Sequence, residues 1–370
     1  MAQIVQPELA EYQREAEAPA KVGAGAGRLH DERLKFAAVF ATFWAIYAAS
    51  GCWRRTVYDA HVYLSYSFLL GRFDLINPPD HFEMVRLGGH AYIAYGIGPS
   101  LIMLPFVAIW GLSFHQALFS AGVAALAMAL WWSTLGLIPA ARPKRMSLTA
   151  VIGLGSLFWF YAGESGDTWA LMHVSAACGL MLALREVFGK GRGWLAGLGF
   201  GIAVLSRQPA LIALPFFAGM LWRRDSDNLA RNLRREFSFA CLLGLLIAFD
   251  ALYNHARFGS FLDNGYKRVV IETTDARFLP WGLFSFRYVP GNIATYFFRL
   301  PENLPAFPWY NPTMAGFSVF ISTPALLLAL AADFRKPANY LALLACASIQ
   351  FLYLTYYWSG YAQFGCRYSI

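Results

Sequence analysis

Residues 57–79 read VYDAHVYLSYSFLLGRFDLINPP, and after a polar turn residues 88–111 read GGHAYIAYGIGPSLIMLPFVAIWG. The stretch lies between two apolar runs, 36–53 and 116–138, that are long enough to cross a bilayer. One acid, Asp59, falls just beyond the first run. A carboxylate held at a membrane surface is costly to keep without a use. We therefore read 54–114 as the outer-face mouth of a membrane protein, with Asp59 at its working site.

Composition agrees with a membrane solvent. Of 370 residues, 58% are hydrophobic and 14% charged, and the mean hydropathy is +0.43; soluble domains carry about 25% charged residues. The 12 Trp and 19 Tyr cluster near the ends of apolar runs, as interfacial anchors do. A formal charge of +8 is small for this length and sits mostly in loops, which suits topology and anionic headgroups rather than nucleic acid. Cys52, Cys178, Cys241, Cys346 and Cys366 show neither metal-ligand nor disulfide spacing. A GxxxxGK phosphate loop is missing from the sequence, which argues against a nucleotide-driven motor.

Outward from the mouth, residues 1–35 are polar and lack the apolar core of a signal peptide, so they read as a disordered cytoplasmic tail. The run at 95–114 is interrupted by Gly and Pro and reads as an interfacial or half-inserted helix. Spans follow at 116–138, 148–162 and 169–184, then a hairpin of two short runs, 194–205 and 210–222, joined through Ser206, Arg207, Gln208 and Pro209. Further spans are expected at 238–253, 314–332 and 340–358, giving about nine in all. Every second loop is basic, at 139–147, 185–193, 223–237 and 333–338, and the positive-inside rule assigns these to the cytoplasm. Arg54 and Arg55 run against that orientation. The other loops face outward and hold Asp59, Glu164, Asp167, Arg207, Arg257 and Arg367. Residues 282–301, GLFSFRYVPGNIATYFFRLP, within the long outer loop 254–311, read as an amphipathic helix on the outer leaflet. The chain closes on an outer segment, 359–370, and relatives are expected to carry further C-terminal helices.

The polar residues admit two readings each. Asp59 is a general base or an N-cap of the helix-like run after it. Arg207, between two apolar half-helices, holds a lipid phosphate or snorkels to the interface. His173 hydrogen-bonds a sugar or phosphate, or packs between helices. Asp167 belongs to the site or caps the helix beginning near Trp169. Asp250 reads as an interhelical pairing group. No His, Cys and Glu grouping has the spacing of a metal site.

At these residues the chain resembles the GT-C class of integral membrane glycosyltransferases, which use polyprenyl-phosphate-linked sugars, as in the protein O-mannosyltransferase and lipid A aminoarabinose transferase branches. Four stretches carry the likeness in order: 58–75 (YDAHVYLSYSFLLGRFDL), 88–111, 197–215 (GLGFGIAVLSRQPALIALP) and 253–266 (YNHARFGSFLDNGY). The resemblance implies an all-α, polytopic transmembrane helical bundle with extracytoplasmic juxtamembrane helices, its catalytic domain running over 36–358. It implies Asp59 as base and Arg207 with Arg367 as holders of the donor phosphate. His61, Tyr92, Tyr95, Asp167, His173, Arg257 and Tyr266 become substrate-binding candidates. The implied partners are membrane lipids, a polyprenyl-phosphate-sugar donor and a glycan, lipid or protein acceptor. No cofactor is expected beyond the lipid-linked donor. The implied location is a bacterial inner membrane with the site toward the periplasm. Ala60 stands where a second acid often follows the first, which counts against a metal-dependent subtype while leaving a divalent metal open. The competing expectation is a transporter or flippase of a lipid-linked substrate, which would place its polar groups at the midplane of paired broken helices.

Overall fold

The computed structural model describes residues 24–139, 141–164, 166–222, 228–274, 277, 279–306, 309–311, 316–360 and 366. About 70% is helical and 4% strand. Among the described residues, five helices are long and apolar enough to span a membrane: His30–Cys52, Gln116–Leu135, Thr168–Phe188, Leu229–Phe258 and Pro337–Leu354. The chain is a helical membrane protein.

Helix α1 (Ala24–Tyr47) continues through a π-helical turn, Ala48–Cys52. It starts inside the segment expected to be a disordered tail. Arg145 holds that inner end by a bidentate pair with Glu32, both bonds 3.0 Å, and stacks on the Trp132 ring at 3.9 Å. The loop 54–114 then forms a short helix α2 (Ala60–Leu69), a two-stranded hairpin β1 (Met84–Leu87) and β2 (His90–Ile93), and helix α3 (Gly98–Trp110). The hairpin turns on Gly88 and Gly89, whose φ values of 59° and 79° make the tight type I′ link that only glycine enters without strain. At 13 residues, α3 is about 20 Å long, short of a hydrocarbon core of about 30 Å.

Helices α4 (Gln116–Leu135), α7 (Thr168–Phe188), α8 (Gly193–Ser206) and α10 (Leu229–Phe258) pack in a row beside α1. Small residues set the spacing. A Cβ on Gly179 would stand 2.4 Å from the Gly199 carbonyl oxygen, and one on Gly199 would stand 2.7 Å from that of Gly179. On its other face α8 meets α10, where a Cβ on Gly197 would lie 2.6 Å from the Phe239 carbonyl oxygen. Close backbone approach of this kind is how helices gain packing energy in lipid, where burial of apolar surface drives little.

Three expected elements take another form. The run at 148–162 is two helices, α5 (Arg145–Leu154) and α6 (Leu157–Gly163), bent by 66°. Ser156 makes the break: its backbone is extended, and its hydroxyl donates to the Ile152 carbonyl while accepting from the Phe158 N–H. The described part of 314–332 contains only a four-residue helix, α13 (Val319–Ser322), and a 3-10 run Pro324–Ala331, so no long helix crosses there. The surface helix expected over 282–301 is shorter and changes pitch, from 3-10 (Phe286–Tyr288) through α12 (Val289–Ile293) to π (Ala294–Phe298). Two more helices complete the described bundle near the site, α9 (Leu214–Trp222) after a 3-10 turn Gln208–Ala213, and α14 (Pro337–Leu354); α11 (Tyr266–Thr273) lies in the long loop.

The loops sort by end. Arg185 bonds to Ser133, the Leu137 side chain abuts Gly189, and Gly193 meets the Arg235 carbonyl, so described residues of three of the basic loops gather at one end. At the other end the Tyr58 carbonyl accepts from Gln116 and Thr168, Gly51 meets the Glu164 carbonyl, and Arg55 donates to the Ser113 carbonyl at 2.8 Å.

Candidate functional site

Helix α8 stops at Ser206, and Arg207 follows in extended backbone with Pro209 two residues on. The loop 54–114 seats directly on this end. A Cβ on Gly96 would stand 2.3 Å from the Leu205 carbonyl oxygen, and one on Gly98 would lie 2.3 Å from the Ser206 hydroxyl oxygen. Tyr95 is thereby fixed beside Arg207. Helix α10, of 30 residues, is about 45 Å long and outruns the hydrocarbon core. Its last turns carry Asp250, Asn254 and Arg257 into the same place.

Together these elements enclose a cavity of about 310 Å³ lined by Arg207, Arg257, Lys267, Asp250, Asn254 and Gln208, with Tyr95, Tyr266, Tyr353 and Tyr356 among the ring walls. Arg207 donates to the Tyr353 hydroxyl at 3.2 Å. Arg257 is buried; it donates to the Ile93 carbonyl and to Asn254 Oδ1, both at 2.6 Å, and lies 3.7 Å over the Tyr253 ring. That contact ties the hairpin to α10. The Tyr266 and Tyr356 hydroxyls meet at 2.6 Å. Buried Asn292 donates to the carbonyls of Leu354 and Tyr356, at 2.8 and 2.7 Å, and so sets the end of α14. Three cationic side chains against one carboxylate suit an anionic ligand, and the phenols and amides suit hydroxyl groups.

Asp59 lies at the same end of the bundle but is not among the residues lining this cavity. The Trp169 ring packs 5.2 Å from that of Tyr58, the residue before Asp59, and 6.1 Å from that of Tyr95 in the cavity wall. Asp59 and Arg207, assigned above to one reaction, therefore do not line one cavity. Asp59 occupies the N-cap position of α2 without a side-chain capping bond. Burial lifts its carboxyl above the ordinary carboxylate value, and its own backbone N–H, Arg55 and His81 offset part of that rise.

The remaining candidates separate cleanly. Tyr95, Arg257 and Tyr266 line the cavity. Tyr95 also donates to Glu83. His61 is wholly buried, its Nδ1 2.9 Å from the Ser100 hydroxyl; burial pushes the imidazole down to about 3, so it is neutral and packs α2 against α3 instead of meeting solvent. Tyr92 packs edge-on to Phe258 at 5.6 Å, outside the cavity lining. Asp167 accepts from the Ala170 N–H at 2.7 Å and caps α7. His173 is buried one turn along, 5.5 Å from the Tyr161 ring. Arg367 lies outside the described residues. Among the described residues, no group of three or more His, Cys, Asp or Glu could hold a metal ion.

Sequence reasoning missed Lys267, Gln208, Asn264, Tyr353 and Tyr356 at the site, and assigned Asp250 to helix pairing. Asp250, Asn254 and Arg257 follow an i, i+4, i+7 spacing that puts all three on one helix face, a signal present in the sequence. Comparison with protein-family models, with curated proteins and with solved structures finds no match to this chain.

Proposed function

We propose that the protein is a membrane glycosyltransferase that moves a sugar from a polyprenyl-phosphate donor to a hydroxyl of a glycan, lipid or protein on the side of the membrane that bears Asp59. The single observation that carries this reading is the convergence of Arg207, Arg257 and Lys267 on one cavity at the end away from the basic loops. The acceptor oxygen attacks the anomeric carbon, the bond from that carbon to the phosphate oxygen breaks, and the electron pair leaves on the phosphate. Arg207 and Lys267 stabilise the charge that grows there, an effect larger in a site that excludes water. Asp59 takes the acceptor proton.

Two acids compete for the role of base. Asp250 stands in the cavity, but it already accepts from Asn254 at 3.3 Å and from Gln208, with Arg257 close by. Asp59 accepts from no such side-chain donors among the described residues, so its carboxylate is the freer proton acceptor. Its approach to the anomeric carbon requires the cavity to open toward it.

Transfer is measured in membranes with a lipid-linked sugar donor, with glycans profiled by mass spectrometry in a deletion strain. Asp59→Asn is expected to abolish transfer without loss of folded protein, and Arg207→Ala to weaken donor use. Full transfer by Asp59→Asn with none by Asp250→Asn would move the base to Asp250. Movement of intact lipid-linked substrate across the bilayer without bond cleavage would replace the enzyme with a transporter.

A further inference from the structure

Arg54 and Arg55 sit at the wrong end of the first span for the positive-inside rule. The structure gives Arg55 a neighbour that accounts for its place. Apart from the cationic cavity, a second hollow of about 900 Å³ opens between α1, α3, α4 and α7. Its walls are apolar, including Trp44, Phe106, Gly122, Leu126 and Leu182, and Arg55 stands at its mouth. The two hollows share no lining residue. Gly98 seated against Ser206 separates them.

The dimensions match one leaflet. Along α4 the lining runs from Leu118 to Leu130, which at about 1.5 Å per residue is about 18 Å. Half of a hydrocarbon core of about 30 Å is about 15 Å. The mouth is cationic and underused. Arg55 is exposed, and one guanidinium N–H donates to the Ser113 carbonyl; a guanidinium has five donors. Arg54 is exposed beside it, 4.9 Å over the Trp53 ring. A lipid with an anionic phosphodiester answers both halves of the site, with its chain along the apolar wall and its phosphate on the guanidinium.

We propose that this groove docks an anionic phospholipid of the leaflet on the Asp59 side, as a bound lipid distinct from any ligand of the cationic cavity. The proposal does not depend on the glycosyltransferase reading. Its test uses the purified, delipidated full chain and native mass spectrometry with dioleoyl phosphatidylglycerol or dioleoyl phosphatidylcholine. One charge-assisted contact predicts about a tenfold preference for the anionic lipid. Arg55→Ala is expected to bring the two lipids to within about twofold of each other. Gly122→Leu fills the groove, because a Cβ there meets only Trp44, at 3.7 Å; it is expected to weaken both lipids alike. Millimolar inorganic phosphate is expected not to displace the lipid. A preference that survives Arg55→Ala, binding undiminished in Gly122→Leu, or displacement by phosphate alone would each overturn the proposal. Arg55→Gln replaces Arg55→Ala if the alanine variant is not monodisperse.

Discussion

Replacing Gly96 by alanine tests how the loop 54–114 is seated on α8. The added Cβ would stand 2.3 Å from the Leu205 carbonyl oxygen and 2.5 Å from that of Ser206. An ordinary carbon–oxygen contact is about 3.3 Å or more, so the backbones must part by about 1 Å. Both atoms belong to main chain, so no side-chain rotation relieves the clash. Overpacking of this size costs about 1–3 kcal/mol, against about 0.4–1 kcal/mol gained because alanine restricts the unfolded chain. The net expectation is a loss of about 1–2 kcal/mol, a few degrees in the midpoint of thermal unfolding followed by size exclusion in detergent. Gly244→Ala is the control, since nothing lies within 4 Å of its added Cβ and it sits inside α10; it should raise stability by about 0.5–1 kcal/mol. The two variants melting together would refute the close seating of 96–98 on 205–206.

Three more outcomes follow from the packing. Burial, with the Asp167 carboxylate adding to it, lifts the Glu164 carboxyl from 4.5 to about 7; the folded state therefore holds a proton that the unfolded chain gives up, and stability should fall as pH rises from 4.5 toward 7. Glu164→Gln should flatten thermal midpoints over that window, and an unchanged slope would remove Glu164 as the cause. Glu186, fully buried, accepts from Arg192 at 2.6 and 2.9 Å; because the arginine stays partly hydrated, Glu186→Gln should cost about 1–3 kcal/mol rather than the full value for a stranded charge, readable as a lower thermal midpoint. Arg257→Gln strands the Ile93 carbonyl and should cost about 2–4 kcal/mol, with faster hydrogen exchange at 90–93 as the local readout; unaltered exchange there would mean the hairpin is held by other contacts.

The parts of the fold legible in the sequence are those where hydropathy and helix continuity coincide. The runs at 116–138 and 169–184 became α4 and α7 within a few residues, and the alternation of basic loops matched their gathering at one end. Hydropathy does not report whether backbone hydrogen bonds run unbroken. That is why 148–162 concealed the Ser156 break, and why the described part of 314–332, although apolar, winds as 3-10 turns after Pro324. The Gly88–Gly89 hairpin did carry a local signal, paired glycines between short strands, but the surrounding aromatic run masked it. At the site, Arg207, Arg257, Tyr95 and Tyr266 were readable because charge or aromatic character at a membrane rim stands out. Lys267 adjoins Tyr266 and carried the same kind of signal, whereas Tyr353 and Tyr356 reach the cavity from an element far along the chain, and no local pattern reports such a meeting.

The glycine-lined faces of α8 bear on motion. With main chain against main chain toward both α7 and α10, rotation of α8 about its own axis would drive carbonyls into one another, so the rod behaves as a fixed axle. The other walls of the cavity, around 264–267, 283–284 and the end of α14, are instead joined by side chains, the Tyr266–Tyr356 hydroxyl pair and the amides of Asn264 and Asn292. Arg207 thus follows directly on the most tightly seated rod of the bundle, and any change of cavity shape is expected in the walls facing it.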